Sequence, residues 1–147
     1  MSVDVTVETR IARHRDEVAR FAMDPANDTR WILALDSVRR LTDGDVDTGT
    51  RVERVASFLG KRIEYVNEVV EFAPPERLVM RSVKAPFPMT VTYEFFEEGG
   101  TTVARIRTTG ETGGFYAVAG PLLSQAVKRG VKRDLEALKR IMEAEST

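Results

Sequence analysis

The stretch that decides the fold runs from Pro121 to Met142 and reads PLLSQAVKRGVKRDLEALKRIM. Its apolar residues recur at spacings of four, four, four, three and four, which places them on one face of an α-helix; they are Leu123, Val127, Val131, Leu135, Leu138 and Met142. Lysines and arginines occupy the opposite face, as is usual for a solvated surface. No other long helix is predicted, so we expect this one to close a curved sheet and leave a hollow for a small molecule.

The first part of the chain predicts one strand and two short helices. Alternating apolar and polar residues predict a half-buried strand over Val3–Ile11. A short helix is predicted over Arg15–Met23. Asp24 then supplies an N-cap, and Pro25 starts a second short helix that is expected to end near Trp31. Two such short helices are expected to plug one end of a sheet.

The middle of the chain predicts strands separated by glycine and proline turns. These strands span residues 38–41, 50–59, 61–72, 77–83, 89–97 and 101–109. With the first strand they predict an antiparallel sheet of about seven strands wrapped on the long C-terminal helix, which is an α+β fold. Gly110–Gly114 is predicted to be a flexible hinge before that helix.

The hairpin at Gly99–Gly100 predicts which side of the sheet is inside. Pairing across this turn places Val91, Tyr93 and Phe95 on an apolar inner face, opposite Thr108, Ile106 and Ala104. Arg105 and Arg107 fall on the outer face, with Glu94 opposite Arg105. A slip of one residue would turn both arginines inward, where they could bind an acidic ligand, but burial of one face disfavours such slips.

The hairpin at Gly60 places polar groups on an inner face. With Gly60–Lys61 as the turn, the predicted pairs are Phe58 with Ile63, Ala56 with Tyr65, Arg54 with Asn67 and Val52 with Val69. Polar groups on an inner face must be hydrogen-bonded or hydrated. In one interpretation, Arg54, Tyr65 and Asn67 are satisfied by lying at a sheet end or by pairing with one another. The alternative is that they face a solvated cavity and orient a ligand.

Composition bounds the possible functions. The length of 147 residues predicts one domain over residues 1–147, and the net charge of −1 argues against nucleic-acid binding. The absence of cysteine excludes disulfides, thiol nucleophiles and cysteine-bound metal clusters. No apolar run reaches the roughly 18–20 residues that span a membrane. The chain enters a strand pattern without a signal-like segment, so we expect a cytoplasmic protein.

Few residues suggest catalysis or metal binding. The single histidine, His14, lies among charged residues and is expected at the surface. The sequence has no phosphate-binding loop, dinucleotide fingerprint or metal-ligand spacing, so no cofactor and no metal site are expected. Trp31 either lines a pocket or anchors the second short helix. Gly130 either lets the long helix approach the sheet or widens a cavity.

An ordered set of short motifs carries a family resemblance over nearly the whole chain. The motifs are Val5–Val7, Ile11–Arg13, Asp16–Val18, Phe21–Ala22, Asp24–Asp28, Arg30–Trp31, Gly49–Arg51, Phe72–Leu78, Tyr93–Phe95, Gly99–Val103 and Leu135–Lys139. Together they resemble the polyketide cyclase/dehydrase family of the START-related (SRPBCC) superfamily. This resemblance implies a helix-grip fold with a deep cavity between the curved sheet and the final helix.

The resemblance implies that this cavity binds a small, largely hydrophobic molecule such as a lipid, polyketide or isoprenoid. The candidate ligand-binding residues are Arg54, Ala56, Phe58, Tyr65, Asn67, Val91, Tyr93, Phe95, Phe115, Tyr116 and Leu122. The last three, together with Val118, would form a lid hinged at Gly113–Gly114, or simply pack a helix end. The alternative is a cyclase or dehydratase with Arg54 and Tyr65 as oxyanion stabiliser and acid; no residue is assigned as catalytic. A third hypothesis is an interaction protein with a vestigial cavity, and a monomer or homodimer is expected.

Overall fold

The computed structural model describes residues 2–111 and 120–144. The elements within these ranges are β1 (Ser2–Ile11), α1 (Arg15–Ala22), a 3₁₀ turn (Pro25–Asn27), α2 (Asp28–Trp31), β2 (Leu35–Arg40), β3 (Arg51–Phe58), β4 (Lys61–Ala73), β5 (Arg77–Lys84), β6 (Met89–Glu98), β7 (Thr101–Glu111) and α3 (Gly120–Ala144). The Asp24 carboxylate accepts a hydrogen bond from the Ala26 amide at 3.0 Å, as an N-cap does. The predicted succession of strand, short helices, strands and long helix is confirmed.

The strands form one antiparallel sheet in the order β1-β7-β6-β5-β4-β3-β2. The apolar stripe of α3 packs on this curled sheet: Leu135, Leu138 and Met142 are buried in one core cluster with Tyr93 and Phe95 of β6. Apolar burial of this kind is the main force that holds the helix in place. The predicted α+β helix-grip arrangement is confirmed.

The Gly99–Gly100 hairpin has the predicted register. Tyr93 pairs with Ile106, Phe95 with Ala104 and Glu94 with Arg105. Both outward arginines bind β1 rather than β6: Arg105 donates to Glu8 at 2.9 Å and Arg107 to Asp4 at 2.8 Å. The prediction that Arg105 and Arg107 lie on the outer face is therefore confirmed. Glu94 lies opposite Arg105 as predicted, but the ion-pair partner of Arg105 is Glu8.

The predicted turn of the β3–β4 hairpin is wrong by one residue. The turn is Leu59–Gly60, where both residues have positive φ, 50° and 73°. Its pairs are Phe58 with Lys61, Ala56 with Ile63, Arg54 with Tyr65 and Val52 with Asn67. A turn with positive φ at both central positions matches the right-handed twist of the strands, which explains why it is used. Relative to the prediction, each residue of β3 pairs with a β4 residue two positions earlier in the chain. Side chains alternate between the two faces with a period of two, so the same residues lie on the inner face.

Gly110 is part of β7 and not of a hinge. It pairs with Val3 of β1 and Met89 of β6, and Glu111 ends the strand. A Cβ at Gly110 would lie 2.7 Å from the backbone oxygen of Pro88, so the close approach of the chain requires glycine here. The proposed hinge at Gly113–Gly114 lies outside the described residues.

Replacing Gly110 with alanine is expected to lower the free energy of unfolding by about 1–3 kcal/mol, because the new methyl group meets backbone that must shift. Gly130→Ala is the matched control. Nothing lies within 4 Å of a Cβ at Gly130, so this variant is expected to gain about 1 kcal/mol of helix propensity. Urea unfolding of both variants checks the prediction. A Gly110→Ala variant as stable as wild type would contradict the close approach of Gly110 to the Pro88 backbone.

Candidate functional site

Two adjoining cavities lie between the sheet and α3. The outer cavity has a volume of 390 Å³ and is lined by residues of β3, β4 and α3, with Ile32, Leu35, Phe87 and Met89 beside them. The inner cavity has a volume of 110 Å³ and lies deeper, against β3 to β7. Ile32, Tyr65 and Asp134 line both cavities, so the two are continuous at these residues.

The outer cavity is mostly apolar. Its lining includes Ala56, Phe58, Ile63, Phe87, Met89, Ala126, Val127 and Val131. Gly130 also lines it, and a Cβ there would meet no atom within 4 Å. Of the two interpretations of Gly130, the structure therefore favours widening of a cavity over close contact between helix and sheet.

A buried ion pair lies at the inner cavity. The Arg54 Nε and Nη2 atoms donate to Asp28 Oδ2 at 2.9 Å and 2.8 Å, and the side chains are only 5% and 2% exposed. Arg54 comes from the centre of β3 and Asp28 from the first turn of α2. The pair therefore fixes α2 against the sheet. Breaking such a buried pair by removing one partner is costly, because the other charge stays buried.

Burial and pairing shift the pKa values of both partners. Burial raises the pKa of the Asp28 carboxyl from 3.8 to about 6, against the opposing effect of the Arg54 guanidinium. Burial lowers the pKa of Arg54, but Asp28, Tyr65 and Tyr93 outweigh it and the net pKa is raised. At neutral pH the pair is therefore ionised and its two charges balance.

Three buried polar atoms at the inner cavity have no hydrogen-bond partner among the described residues. They are Trp31 Nε1, Arg54 Nη1 and Asn67 Oδ1. The first two are donors and the third is an acceptor. A buried polar group left unpaired costs about 1–3 kcal/mol. Buried groups of this kind in native proteins are normally satisfied by a partner, which includes water or a bound molecule.

Aromatic side chains also line the inner cavity. Trp31 packs edge-on against Tyr93, with ring centroids 5.6 Å apart at 64°. Trp31 is buried in the main core cluster and also lines the inner cavity, so it fulfils both roles considered for it. Burial raises the pKa values of Tyr65 and Tyr93, so both hydroxyls keep their protons at neutral pH.

Asp134 of α3 was not predicted as a site residue. Its carboxylate lies where the two cavities meet and accepts a hydrogen bond from the Leu33 amide at 3.0 Å. Burial raises its pKa from 3.8 to about 6, although the Leu33 amide and Arg133 oppose the shift. Its position, three residues after Val131 and four before Leu138, is the sequence signal that places it on the inner face.

Asp134 is expected to make the protein more stable as the pH falls from about 7 towards 4. Its pKa is about 6 in the folded protein and 3.8 when unfolded, so the folded state takes up the proton first. We expect Asp134→Asn to stabilise the protein by about 1–2 kcal/mol at pH 7, after allowance for screening by solvent. This gain over wild type should shrink to nothing near pH 4. If urea unfolding showed the same difference in stability between Asp134→Asn and wild type at every pH, the raised pKa of Asp134 would be contradicted.

The structure brings most of the predicted ligand-binding residues to the two cavities. Arg54, Tyr65, Asn67, Val91 and Tyr93 line the inner one, and Ala56, Phe58 and Tyr65 line the outer one. Phe95 is buried in the core and lines neither, while Leu122 is 68% exposed. Phe115 and Tyr116 lie outside the described residues. The sequence-based prediction missed Asp28 and Asp134.

Other features of the described residues offer less to a ligand. Two more grooves, of 480 Å³ and 580 Å³, are lined by no unpartnered buried polar atom.

The His14 side chain is 55% exposed, and its Nε2 atom lies 3.0 Å from Glu97 Oε1, at the surface as predicted. Within residues 2–111 and 120–144, no group of acidic, histidine or cysteine side chains is placed to hold a metal ion. None of the described helices has the length and apolar content of a membrane span.

Comparison with known proteins identifies the same architecture elsewhere. A structure of TTHA0849 from Thermus thermophilus is 22% identical, with a TM-score of 0.86 over 98% of this chain and 99% of that one. The ZhuI aromatase/cyclase from Streptomyces sp. R1128 is 16% identical, with a TM-score of 0.85 over 100% and 97%. A START superfamily protein from Mycobacterium smegmatis is 12% identical, with a TM-score of 0.83 over 96% and 97%. At these identities the similarity shows a shared fold.

The sequence itself identifies the family. No curated protein matches the chain. The family profile described as polyketide cyclase / dehydrase and lipid transport matches residues 2–143, which includes every residue of the two cavities. The chain therefore belongs to the polyketide cyclase/dehydrase and lipid transport family.

Proposed function

We propose that the protein binds a small, largely apolar molecule with one neutral polar end. The apolar body would occupy the outer cavity, and the polar end the inner cavity. The observation that carries this proposal is the group of unpartnered buried atoms, Trp31 Nε1, Arg54 Nη1 and Asn67 Oδ1. A carbonyl or hydroxyl oxygen would satisfy the two donors, and a hydroxyl hydrogen would satisfy the acceptor.

Size and charge support the same ligand class. The outer cavity, at 390 Å³, falls within the usual range of roughly 300–1,000 Å³ for small-molecule sites. Asp28 already balances the charge of Arg54, and the Asp134 carboxylate adds negative charge where the cavities meet. An anionic end group would be repelled by Asp134, so a neutral oxygen is favoured.

Two aromatic probes of similar shape test the proposal by calorimetric titration. 2-Acetylnaphthalene carries a carbonyl acceptor, and 2-ethylnaphthalene lacks it. We expect both to bind and the acetyl compound to bind about tenfold more tightly, because its oxygen meets donors that are otherwise unpaired. Absence of binding by both probes would contradict the proposal. Tighter binding of the ethyl compound would contradict the assignment of the polar end.

A second candidate function is that of a cyclase or dehydratase that uses the same cavities, and Asp134 favours it. A carboxylate with a pKa of about 6 is suited to remove a proton from a carbon next to a carbonyl. The donors Trp31 Nε1 and Arg54 Nη1 would stabilise the enolate oxygen. The structural similarity to an aromatase/cyclase from Streptomyces is consistent with this candidate.

A linear 1,3,5-triketone tests the enzyme hypothesis, with absorbance of the aromatic product as the measurement. If the protein is a cyclase, Asp134→Asn should slow product formation by about 10²–10⁴-fold while 2-acetylnaphthalene still binds. Tyr65→Phe separates a role of the Tyr65 hydroxyl in binding from a role in catalysis. Slower product formation with 2-acetylnaphthalene binding retained would assign the hydroxyl to catalysis. A rate in the wild type no greater than in buffer would leave binding as the function.

We further propose that residues 1–147 form one domain that acts in the cytoplasm as a monomer or homodimer. The net charge of −1 supports small molecules rather than nucleic acids as ligands.

A further inference from the structure

Exposed leucines lie at and beside the outer cavity. Among the described residues, six large apolar side chains are exposed, and three of them lie on segments that contribute residues to the lining of this cavity. Leu59 lines it directly, and Leu33 lies between the lining residues Ile32 and Ala34. Leu122 lies one helical turn before Ala126, which also lines the cavity. We call Leu33, Leu59 and Leu122 the rim leucines; they are 50%, 44% and 68% exposed.

Leu59 occupies a position that does not suit it. Its φ is 50°, in the left-handed region that favours glycine, asparagine and aspartate. A two-residue turn of this kind is most often Asn-Gly, so the hairpin itself gains nothing from leucine. An exposed apolar side chain therefore projects from the tip of the β3–β4 hairpin at a cost in backbone strain. Strain of this sort points to a role outside the local fold.

Basic side chains accompany the rim leucines. Lys61 and Arg62 directly follow the hairpin tip and are exposed. Arg129 and Arg133 of α3 line the outer cavity and are exposed, with Lys132 between them. Since the whole chain has a net charge of −1, this end of the molecule is more positive than the average. The acidic partner of Arg62 is Glu64 at 3.3 Å, an exposed pair that solvent screens.

We infer that the rim leucines and the basic residues beside them dock on an anionic membrane surface. The leucines would enter the boundary between headgroups and acyl chains, and the arginines and lysines would bind the lipid phosphates. The three leucines lie on separate segments, a loop, a turn and a helix. A membrane surface is fluid and can deform to meet each of them. An apolar ligand could then pass between membrane and cavity without crossing water. The inference goes beyond ligand binding and does not depend on which ligand is bound.

Vesicle co-sedimentation of the whole protein tests the inference. We expect binding to phosphatidylcholine vesicles that contain phosphatidylglycerol, weaker binding without it, and weaker binding at high salt. Leu59→Asn should weaken binding about tenfold, because one apolar side chain no longer enters the membrane. Asparagine suits the turn, so thermal unfolding should show equal or greater stability. Leu41→Asn is the matched control: Leu41 is 43% exposed and lies beside Arg51, at the other end of β3.

Charge variants give a second, independent measurement. Arg129→Gln should weaken vesicle binding about fivefold, while Arg140→Gln, an exposed arginine further along α3, should change it little. Unchanged binding in Leu59→Asn, or equal binding to uncharged vesicles, would overturn the inference. Self-association that Leu59→Asn abolishes, with no vesicle binding, would also overturn it and assign the surface to a second copy. Because the naphthalene titrations need no membrane, failure here is distinct from failure of the proposed ligand binding.

Discussion

Replacing Arg54 with methionine is expected to lower the free energy of unfolding by about 3–5 kcal/mol, one of the two largest effects that we anticipate. The variant keeps the bulk of the side chain but leaves the Asp28 carboxylate buried without its partner. Urea unfolding at pH 7 measures the loss. Near pH 4 the loss should be smaller, because a protonated Asp28 carries no charge to be compensated.

Two further variants separate the buried pair from a general effect of removing arginine. Arg39→Met removes an exposed pair with Glu53, at 3.1 Å, and should cost less than about 1 kcal/mol. The double change Arg54→Met with Asp28→Leu should recover most of the stability, since no buried charge is left. Equal costs for Arg54→Met and Arg39→Met would contradict the account of the inner cavity.

Replacing Gly130 with leucine is expected to weaken 2-acetylnaphthalene binding by about 100-fold, since the new side chain would fill part of the outer cavity. A Cβ at this position meets nothing within 4 Å, and the remaining atoms have the cavity to enter. The helix should gain about 1 kcal/mol of propensity, so loss of binding would not be caused by unfolding. Calorimetric titration and urea unfolding of the same sample measure both effects.

The matched control for this variant is Gly130→Ala. Alanine gives a similar gain in helix propensity but leaves most of the outer cavity empty, so binding should stay within about threefold of wild type. If Gly130→Leu bound the probe as tightly as Gly130→Ala, the outer cavity would not be where the apolar body lies.

Much of the fold follows from periodic patterns in the sequence. The apolar stripe of α3 and the pairing across Gly99–Gly100 both arise from local spacing, and the structure confirms them. The position of the β3–β4 turn is harder to predict from the sequence. Gly60 is the one glycine there, and it can be either the first or the second central residue of a two-residue turn. The chain places Leu59 in the left-handed region, a choice that no propensity predicts.

The polar part of the site could be predicted only in part. Alternation along a strand predicts the inner-face positions of Arg54, Tyr65 and Asn67, and all three line the inner cavity. Asp28 was missed because its partner, Arg54, is 26 residues away, and only the folded chain brings them together. Asp134 lies at the inner edge of the apolar stripe, where a polar residue usually marks the boundary of a buried face.

The indole N–H of Trp31 tests the central claim most directly. It is the only tryptophan in the chain, so its indole signal is unique in a ¹⁵N–¹H NMR spectrum. In the structure this donor is buried at the inner cavity, and no described residue accepts its hydrogen bond. Titration with 2-acetylnaphthalene should move the signal downfield in a saturable way, because the carbonyl oxygen accepts its hydrogen bond; 2-ethylnaphthalene should not do so. A signal that stays in place while the acetyl compound binds would contradict the account.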